Sequence, residues 1–248
     1  MPRVVAHRGA SASAPENTRA AMRRAAATGA RWAECDVRLT ADETPVVLHD
    51  ATLERTTNGR GRLADTRADD IATLDAGAWF APEAIGEPVP TLAALLEVAA
   101  SLNLGLNVEI KADSDPAAAA TAAAAAPLLR PATVPLVVSS FRPAALAALR
   151  RHAPEVAVGL LCRATIDRAV IAEARALEAA SLHADHRGFA AAAVAQVVDA
   201  GLWPAAYTVN SPERAETLWR LGVRTVITDR PDALLARAAA TGFSDSAG

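Results

Sequence analysis

Residues 31–50 read Arg-Trp-Ala-Glu-Cys-Asp-Val-Arg-Leu-Thr-Ala-Asp-Glu-Thr-Pro-Val-Val-Leu-His-Asp. The first part, 31–37, reads as a strand. Successive strand side chains point to opposite faces, so Glu34 and Asp36 share one face while Cys35 takes the other and is structural. Only a few residues around Asp42-Glu43 separate Val37 from the next apolar run at 46–48. A parallel return needs a crossover of about a dozen residues or more, so the spacing predicts an antiparallel hairpin. The strand rises above a rim, folds back, and drops His49 into the mouth below.

The rest of the chain supplies the rim. Apolar runs at 3–7, 31–37, 104–110, 134–139, 156–161, 180–183, 204–209 and 223–228 make eight strands. Stretches with helical spacing lie at 17–28, 91–102, 115–126, 142–151, 164–178, 190–200, 212–220 and 231–240. Asn17, Thr91 and Ser211-Pro212 read as helix starts, Gly29 and Gly201 as helix stops. Eight alternations predict an α/β fold, a (β/α)8 TIM barrel, and 248 residues suit one such domain over 1–248. Residues 51–90 lack periodicity and are rich in Gly and Pro, so they read as an irregular cap inserted after strand 2, ordered around Trp79-Phe80. The chain after Ala240 reads as frayed.

Composition excludes several classes. A net charge of -3 leaves no basic footprint for nucleic acid and no polybasic membrane patch. The apolar run Val4–Ala6 is too short for a secretory leader, and the Ala-rich stretch 117–129 is too short and too weakly apolar to span a bilayer. Two cysteines, Cys35 and Cys162, imply no disulfide framework. A soluble, cytoplasmic protein without stable membrane association is expected; oligomeric state is not legible.

Charged groups at strand ends then demand an explanation, because burying charge without a partner is costly. His7-Arg8-Gly9 follows the first strand, His49-Asp50 ends the hairpin, and Asn107-Val108-Glu109-Ile110-Lys111 closes the third barrel strand. Glu34, Asp36 and Glu109 would repel one another unless a cation neutralised them. Oxygen-only ligands point to one divalent ion, Mg²⁺ or Ca²⁺. His7 and His49 beside that cluster are the candidate acid–base pair, since imidazole titrates near neutrality. Arg8 and Lys111, with the metal, would hold an anion, phosphate being the natural choice, and Gly9 would let the backbone approach it. Lys111 is the sole lysine among 25 basic residues, at a position where a compact charge and a planar guanidinium differ. His183, in the stretch Leu182–His186, is a candidate substrate contact, as are Phe141, Tyr207 and Trp79 as pocket walls.

With these residues in hand, the chain resembles the glycerophosphodiester phosphodiesterase family, cytosolic bacterial type. The likeness runs through His7-Arg8-Gly9, Pro15-Glu16-Asn17-Thr18, Glu34-x-Asp36, His49-Asp50-x-x-Leu53-x-Arg55-Thr56-Thr57-x-Gly59-x-Gly61 and Asn107-x-Glu109-x-Lys111. It continues in Ser139-Ser140-Phe141, Tyr207-Thr208-Val209-Asn210 and Thr228-Asp229-Arg230-Pro231. The resemblance implies a capped TIM barrel, a divalent cation, and hydrolysis of small-molecule glycerophosphodiesters to glycerol 3-phosphate and an alcohol. It also implies His7 and His49 as the acid–base pair, Glu34, Asp36 and Glu109 as metal ligands, and Arg8 and Lys111 as phosphate ligands. The alternative is a lysophospholipase D-like activity on lipid-tailed substrates, for which only Trp79-Phe80 offers an apolar hint; retention of both histidines and all three acids argues against a non-catalytic barrel.

Overall fold

The computed structural model describes residues 1–163 and 165–243. The strands are β1 (Val4–Ala6), β2 (Trp32–Leu39), β3 (Pro45–Val47), β4 (Gly105–Ile110), β5 (Leu136–Ser140), β6 (Ala157–Cys162), β7 (Ser181–Asp185), β8 (Trp203–Tyr207) and β9 (Thr225–Thr228). Eight of them pair in parallel and close on themselves, since β1 meets both β2 and β9. The ninth, β3, runs antiparallel to β2 with Val37 opposite Val47, as the short Asp42-Glu43 connection requires. The fold is the (β/α)8 barrel that the alternation predicts.

The helices are α1 (Arg19–Ala27), α2 (Ala68–Ile71), α3 (Leu92–Ser101), α4 (Asp115–Leu129), α5 (Pro143–His152), α6 (Arg168–Ala176), α7 (Ala191–Asp199), α8 (Pro212–Arg220) and α9 (Pro231–Ala240). Ala33, Cys35 and Val37 point outward from β2 into a core shared with Met22, Leu92, Leu95 and Leu106. Ala-rich helices suit this layer, because small side chains let helix and sheet approach closely. Thr91 and Ser211 cap α3 and α8 as expected. Asn17 does not cap α1; Thr18 does, its Oγ1 accepting from the Ala21 amide at 3.1 Å. Asn17 sits instead at φ 61° and turns its side chain to the barrel. Helix α6 begins later than periodicity suggests, where Asp167 caps it through the Val170 amide; Ala164 lies outside the described residues.

Between β3 and α3 the cap has a small core of its own, in which Leu53, Leu63, Ile71, Ala76 and Val89 pack beneath Val46 and Leu48. Asp75 ties its far loop together by accepting from the amides of Gly77, Ala78 and Gly86. Past Ala240 the chain does not fray at once: the Phe243 ring lies 5.7 Å from that of Trp219. Residues 244–248 lie outside the described residues. No described helix is long and apolar enough to cross a membrane.

Candidate active site

The carboxyl ends of the strands open onto a cavity of about 780 Å³ lined by His7, Arg8, Glu34, His49, Glu109 and Lys111, and also by Phe141, Arg163 and Tyr207. Strand register explains the gathering. Parallel pairing sets Glu34 beside Asn107 and Asp36 beside Glu109, so their inward side chains meet at one depth. Glu34, Asp36 and Glu109 offer oxygens that all lie within 4.8 Å of one another.

The electrostatics of that cluster are unusual for carboxylates. Burial, followed by repulsion from Asp36 and Glu109, pushes Glu34 well above its ordinary range. Burial and then Asp36 raise Glu109 to about 7. Burial would raise Asp36 as well, but Arg8 and Lys111 outweigh it and hold that carboxyl at about 2. Glu34 Oε1 and Asp36 Oδ1 are buried and accept no hydrogen bond among the described residues. Buried oxygens without donors are expensive, and a hard cation among them would remove the cost. The residues present therefore fit a divalent ion. Three carboxylates against Arg8 and Lys111 leave one net negative charge, which such an ion would turn into one positive charge.

The two cations are braced by the cluster. Lys111 Nζ lies 2.7 Å from Glu109 Oε1 and 3.5 Å from Asp36 Oδ1. Arg8 adopts φ 54°, a strained left-handed conformation for a non-glycine residue. That turn aims its amide at Glu34 Oε2 (2.9 Å) and its guanidinium at Glu16 (2.7 Å) and Asp36 (3.2 Å). Gly9 does allow a close approach, but to helix α1: at φ 78°, a Cβ there would sit 2.6 Å from the Ala21 backbone.

Each histidine is held through Nδ1 by an aspartate, at 2.6 Å in both cases: His7 by Asp229 and His49 by Asp50. Both aspartates are lowered below the usual carboxylate range. Asp229 reaches about 2 because its hydrogen bond from His7 and those from Asn210 and Ser11 outweigh burial. Asp50 is lowered first by its hydrogen bond from Arg55. As ionised carboxylates they accept the Nδ1 hydrogen bond, which leaves each Nε2 without that partner. His7 Nε2 points inward, 3.9 Å from Glu34 Oε2. Burial first of all draws His49 below its ordinary value, so its ring is neutral at neutral pH. Arg55 joins the two halves of the rim, donating to both Asp50 and Glu16.

The structure thus brings His7, Arg8, Glu34, Asp36, His49, Glu109, Lys111, Phe141 and Tyr207 to one mouth. Two sequence-based candidates fall elsewhere. His183 is wholly buried with its Nε2 2.9 Å from Ser181 Oγ, packed over Gly159, where a Cβ would come within 2.8 Å of the ring. It fills the barrel beneath the cavity rather than lining it, and burial keeps it neutral by lowering it to about 4. Trp79 lies on the cap outside the lining residues, its indole donating to the Ala76 carbonyl and its ring edge-on to Phe80. Sequence reasoning missed the roles of Asn17 and Asp229, although both fall inside motifs quoted above. Asn17 donates to Asp36 Oδ2 at 2.8 Å and accepts from the Asp36 amide at 3.1 Å, which orients one carboxylate of the cluster.

The model of the glycerophosphoryl diester phosphodiesterase family matches residues 7–233. The chain belongs to this family. It is a phosphoric diester hydrolase of the glycerophosphodiester phosphodiesterase kind. A glycerophosphodiester phosphodiesterase of Caldanaerobacter subterraneus subsp. tengcongensis is 34% identical over 233 residues, covering 94% of this chain and 96% of that one. The solved structure of an Oleispira antarctica phosphodiesterase, in complex with the product sn-glycerol-3-phosphate, is 34% identical with a TM-score of 0.92, covering 96% of this chain and 97% of that one. A glycerophosphodiester phosphodiesterase from Agrobacterium tumefaciens is 32% identical with a TM-score of 0.79, covering 95% and 100% of the two chains.

Proposed function

We propose that this family member hydrolyses small glycerophosphodiesters to glycerol 3-phosphate and an alcohol, with His7 and His49 as the acid–base pair. The observation that carries the reading is the convergence of two aspartate-held imidazoles on one cluster of three buried carboxylates. Glu34, Asp36 and Glu109 would hold one divalent cation, Mg²⁺ or Ca²⁺. That ion would supply Lewis-acid stabilisation of developing charge on the phosphoryl group. Arg8 and Lys111 bind phosphoryl oxygens and hold the phosphorus between the two histidines, which are worth roughly 10²–10⁴-fold as proton carriers. One Nε2 removes the proton from the nucleophile, either water or the glycerol 2-hydroxyl, and the other protonates the departing alkoxide; if the 2-hydroxyl attacks, water then opens the resulting cyclic phosphate to glycerol 3-phosphate.

A single domain over 1–248 suffices for this chemistry, with the cap at about 51–90 beside the mouth, where Arg55 braces Asp50 and Glu16. The substrate is a soluble diester met in the cytoplasm, and the reading needs neither nucleic acid nor membrane. A lipid-tailed substrate fits less well. Trp79 lies outside the cavity, and the apolar lining residues Ile110, Leu161 and Ile227 are set among arginines. The test is glycerol 3-phosphate release from a panel of headgroup diesters and a lysophospholipid, with Mg²⁺, Ca²⁺ or a chelator. Release from the small diesters that chelation abolishes and metal restores is expected. Turnover of the lysophospholipid alone would overturn the substrate class, and full activity after exhaustive chelation would overturn the metal.

A further inference from the structure

The cavity has a charge bias that the chemistry at phosphorus does not fully use. Arg8, Arg38, Lys111, Arg142 and Arg163 line the cavity, whereas among the described residues its only lining carboxylates are Glu34 and Glu109, both in the cluster. The other cations have anionic partners: Arg8 and Lys111 in the cluster, Arg38 with Asp113 at 3.3 Å, and Arg142 with Asp115 at 2.8 Å. Arg163, just past the end of β6, has no carboxylate partner among the described residues. Its guanidinium lies over the Phe141 ring, 5.7 Å from the centroid. Lys111 Nζ occupies a second cation contact with that ring at 5.8 Å, and Tyr207 meets it edge-on at 5.9 Å.

A quaternary ammonium is ordinarily recognised by an aromatic face that offers it negative potential. Here the aromatic wall is already engaged by the protein's own cations; Lys111 is neutralised by Glu109 at 2.7 Å, but Arg163 is not paired with a carboxylate, so an entering ammonium would meet its like charge. An arm that carries an anion would complete the ion pair that Arg163 lacks. Specificity of this kind comes as much from repelling the wrong partner as from attracting the right one.

We propose that Arg163 makes the cavity a charge filter for the second ester arm, favouring diesters whose leaving alcohol carries another anion and disfavouring quaternary ammonium headgroups. The inference rests on the hydrolysis of glycerophosphodiesters argued above. Three glycerophosphodiesters of similar length separate charge from shape: those of choline, of its neutral carbon isostere 3,3-dimethylbutanol, and of 4-hydroxybutyrate. For the wild-type enzyme, kcat/KM should rise in that order. At separations near those of the Phe141 contacts, and with Arg163 exposed so that the dielectric is close to that of water, one unit of charge is worth roughly fivefold. Arg163→Gln should therefore raise the choline-to-isostere ratio about fivefold, and Arg163→Glu roughly twentyfold. Arg163→Lys, which keeps the charge, should keep the wild-type order, and raising salt toward 1 M should shrink all the ratios. Melting curves establish that each variant is folded, and because only ratios are compared, partial loss of active enzyme does not enter. If the wild type cleaves all three diesters and the ratios are the same in Arg163→Gln and Arg163→Glu, the filter is refuted while the hydrolytic reading stands. If the wild type cleaves none, the hydrolytic reading fails instead.

Discussion

Replacing Asp229 by asparagine removes the charge that holds His7 while keeping the side chain's shape, and the surrounding hydrogen bonds make the consequence calculable. Asp229 Oδ1 accepts from His7 Nδ1 at 2.6 Å and from Ser11 Oγ at 2.9 Å, while Oδ2 accepts from Asn210 Nδ2 at 2.6 Å. Both oxygens face donors. An amide has one acceptor only, so its NH₂ must confront either Asn210 or His7. Facing His7, it forces Nδ1 to accept and shifts the neutral ring's proton to Nε2, the atom that faces the cluster. Facing Asn210, it keeps the tautomer but loses the carboxylate that stabilises the imidazolium. Two unit charges about 4 Å apart near a surface interact by about 4 kcal/mol, and the 31% exposure of the Asp229 side chain trims this to about 3. Asp229→Asn should therefore lower kcat by roughly 10²-fold. It should change KM little, because substrate is not touched. Adding Asn210→Asp restores an acceptor opposite the new amide, and its second oxygen can still take the Thr228 hydroxyl and residue 229 amide that Asn210 Oδ1 takes now. The double variant should recover about tenfold, whereas a general loss of packing would worsen. Initial rates of glycerol 3-phosphate release, with melting curves alongside, measure this. A kcat within about threefold of wild type for Asp229→Asn would show that His7 carries no proton or needs no aspartate.

Three further outcomes can be checked together. Metal binding must displace protons from Glu34 and Glu109, so the apparent metal affinity should climb as pH rises, including through about 7 where Glu109 loses its proton, with proton release visible by calorimetry in buffers of different ionisation enthalpy. The sign follows for stability too: in the metal-free fold these raised carboxyls bind protons that the unfolded chain has released. The melting temperature of the apoprotein should thus fall as pH rises from the ordinary carboxyl range to 7, and metal should cancel the fall; a pH-independent affinity would refute both. Lys111→Arg keeps the charge but pushes a planar head between Glu109 and Asp36, and a displacement of about 1 Å should cost roughly 10²-fold in kcat/KM; wild-type turnover would make the lone lysine a compositional accident. Asn17→Ala leaves Asp36 without its buried amide partner, so metal affinity read by titration should drop about 10–100-fold, and unchanged affinity would remove Asn17 from the site.

Much of this site was legible along the chain because strand periodicity and strand ends are local properties. Glu34-x-Asp36 and Asn107-x-Glu109-x-Lys111 declare a shared inward face by spacing alone, and the short 38–45 connection declares the hairpin that returns His49. His183 shows the limit of that logic. Its alternation on β7 predicts the inward face, but not its depth, and the space above Gly159 places the ring below the cavity floor. Asn17 reads as a helix cap because capping and carboxylate-orienting residues are the same short polar types. Trp79 was drawn to the mouth by hydrophobicity, yet the cap's own fold turns it aside.

What the chain by itself determined, then, is the set of inward-facing groups and the order in which strands present them. Residue type and a two-residue period decide that without reference to distant segments. Which group meets which was decided only when the barrel closed. Pairing of β1 with β9 carries Asp229 to His7 across 222 residues of sequence, and the succession of β5, β6, β7 and β8 around the barrel sets Phe141, Arg163 and Tyr207 into one wall. Those meetings follow from strand register and from the geometry of closing a twisted sheet on itself, quantities to which no local window of sequence has access.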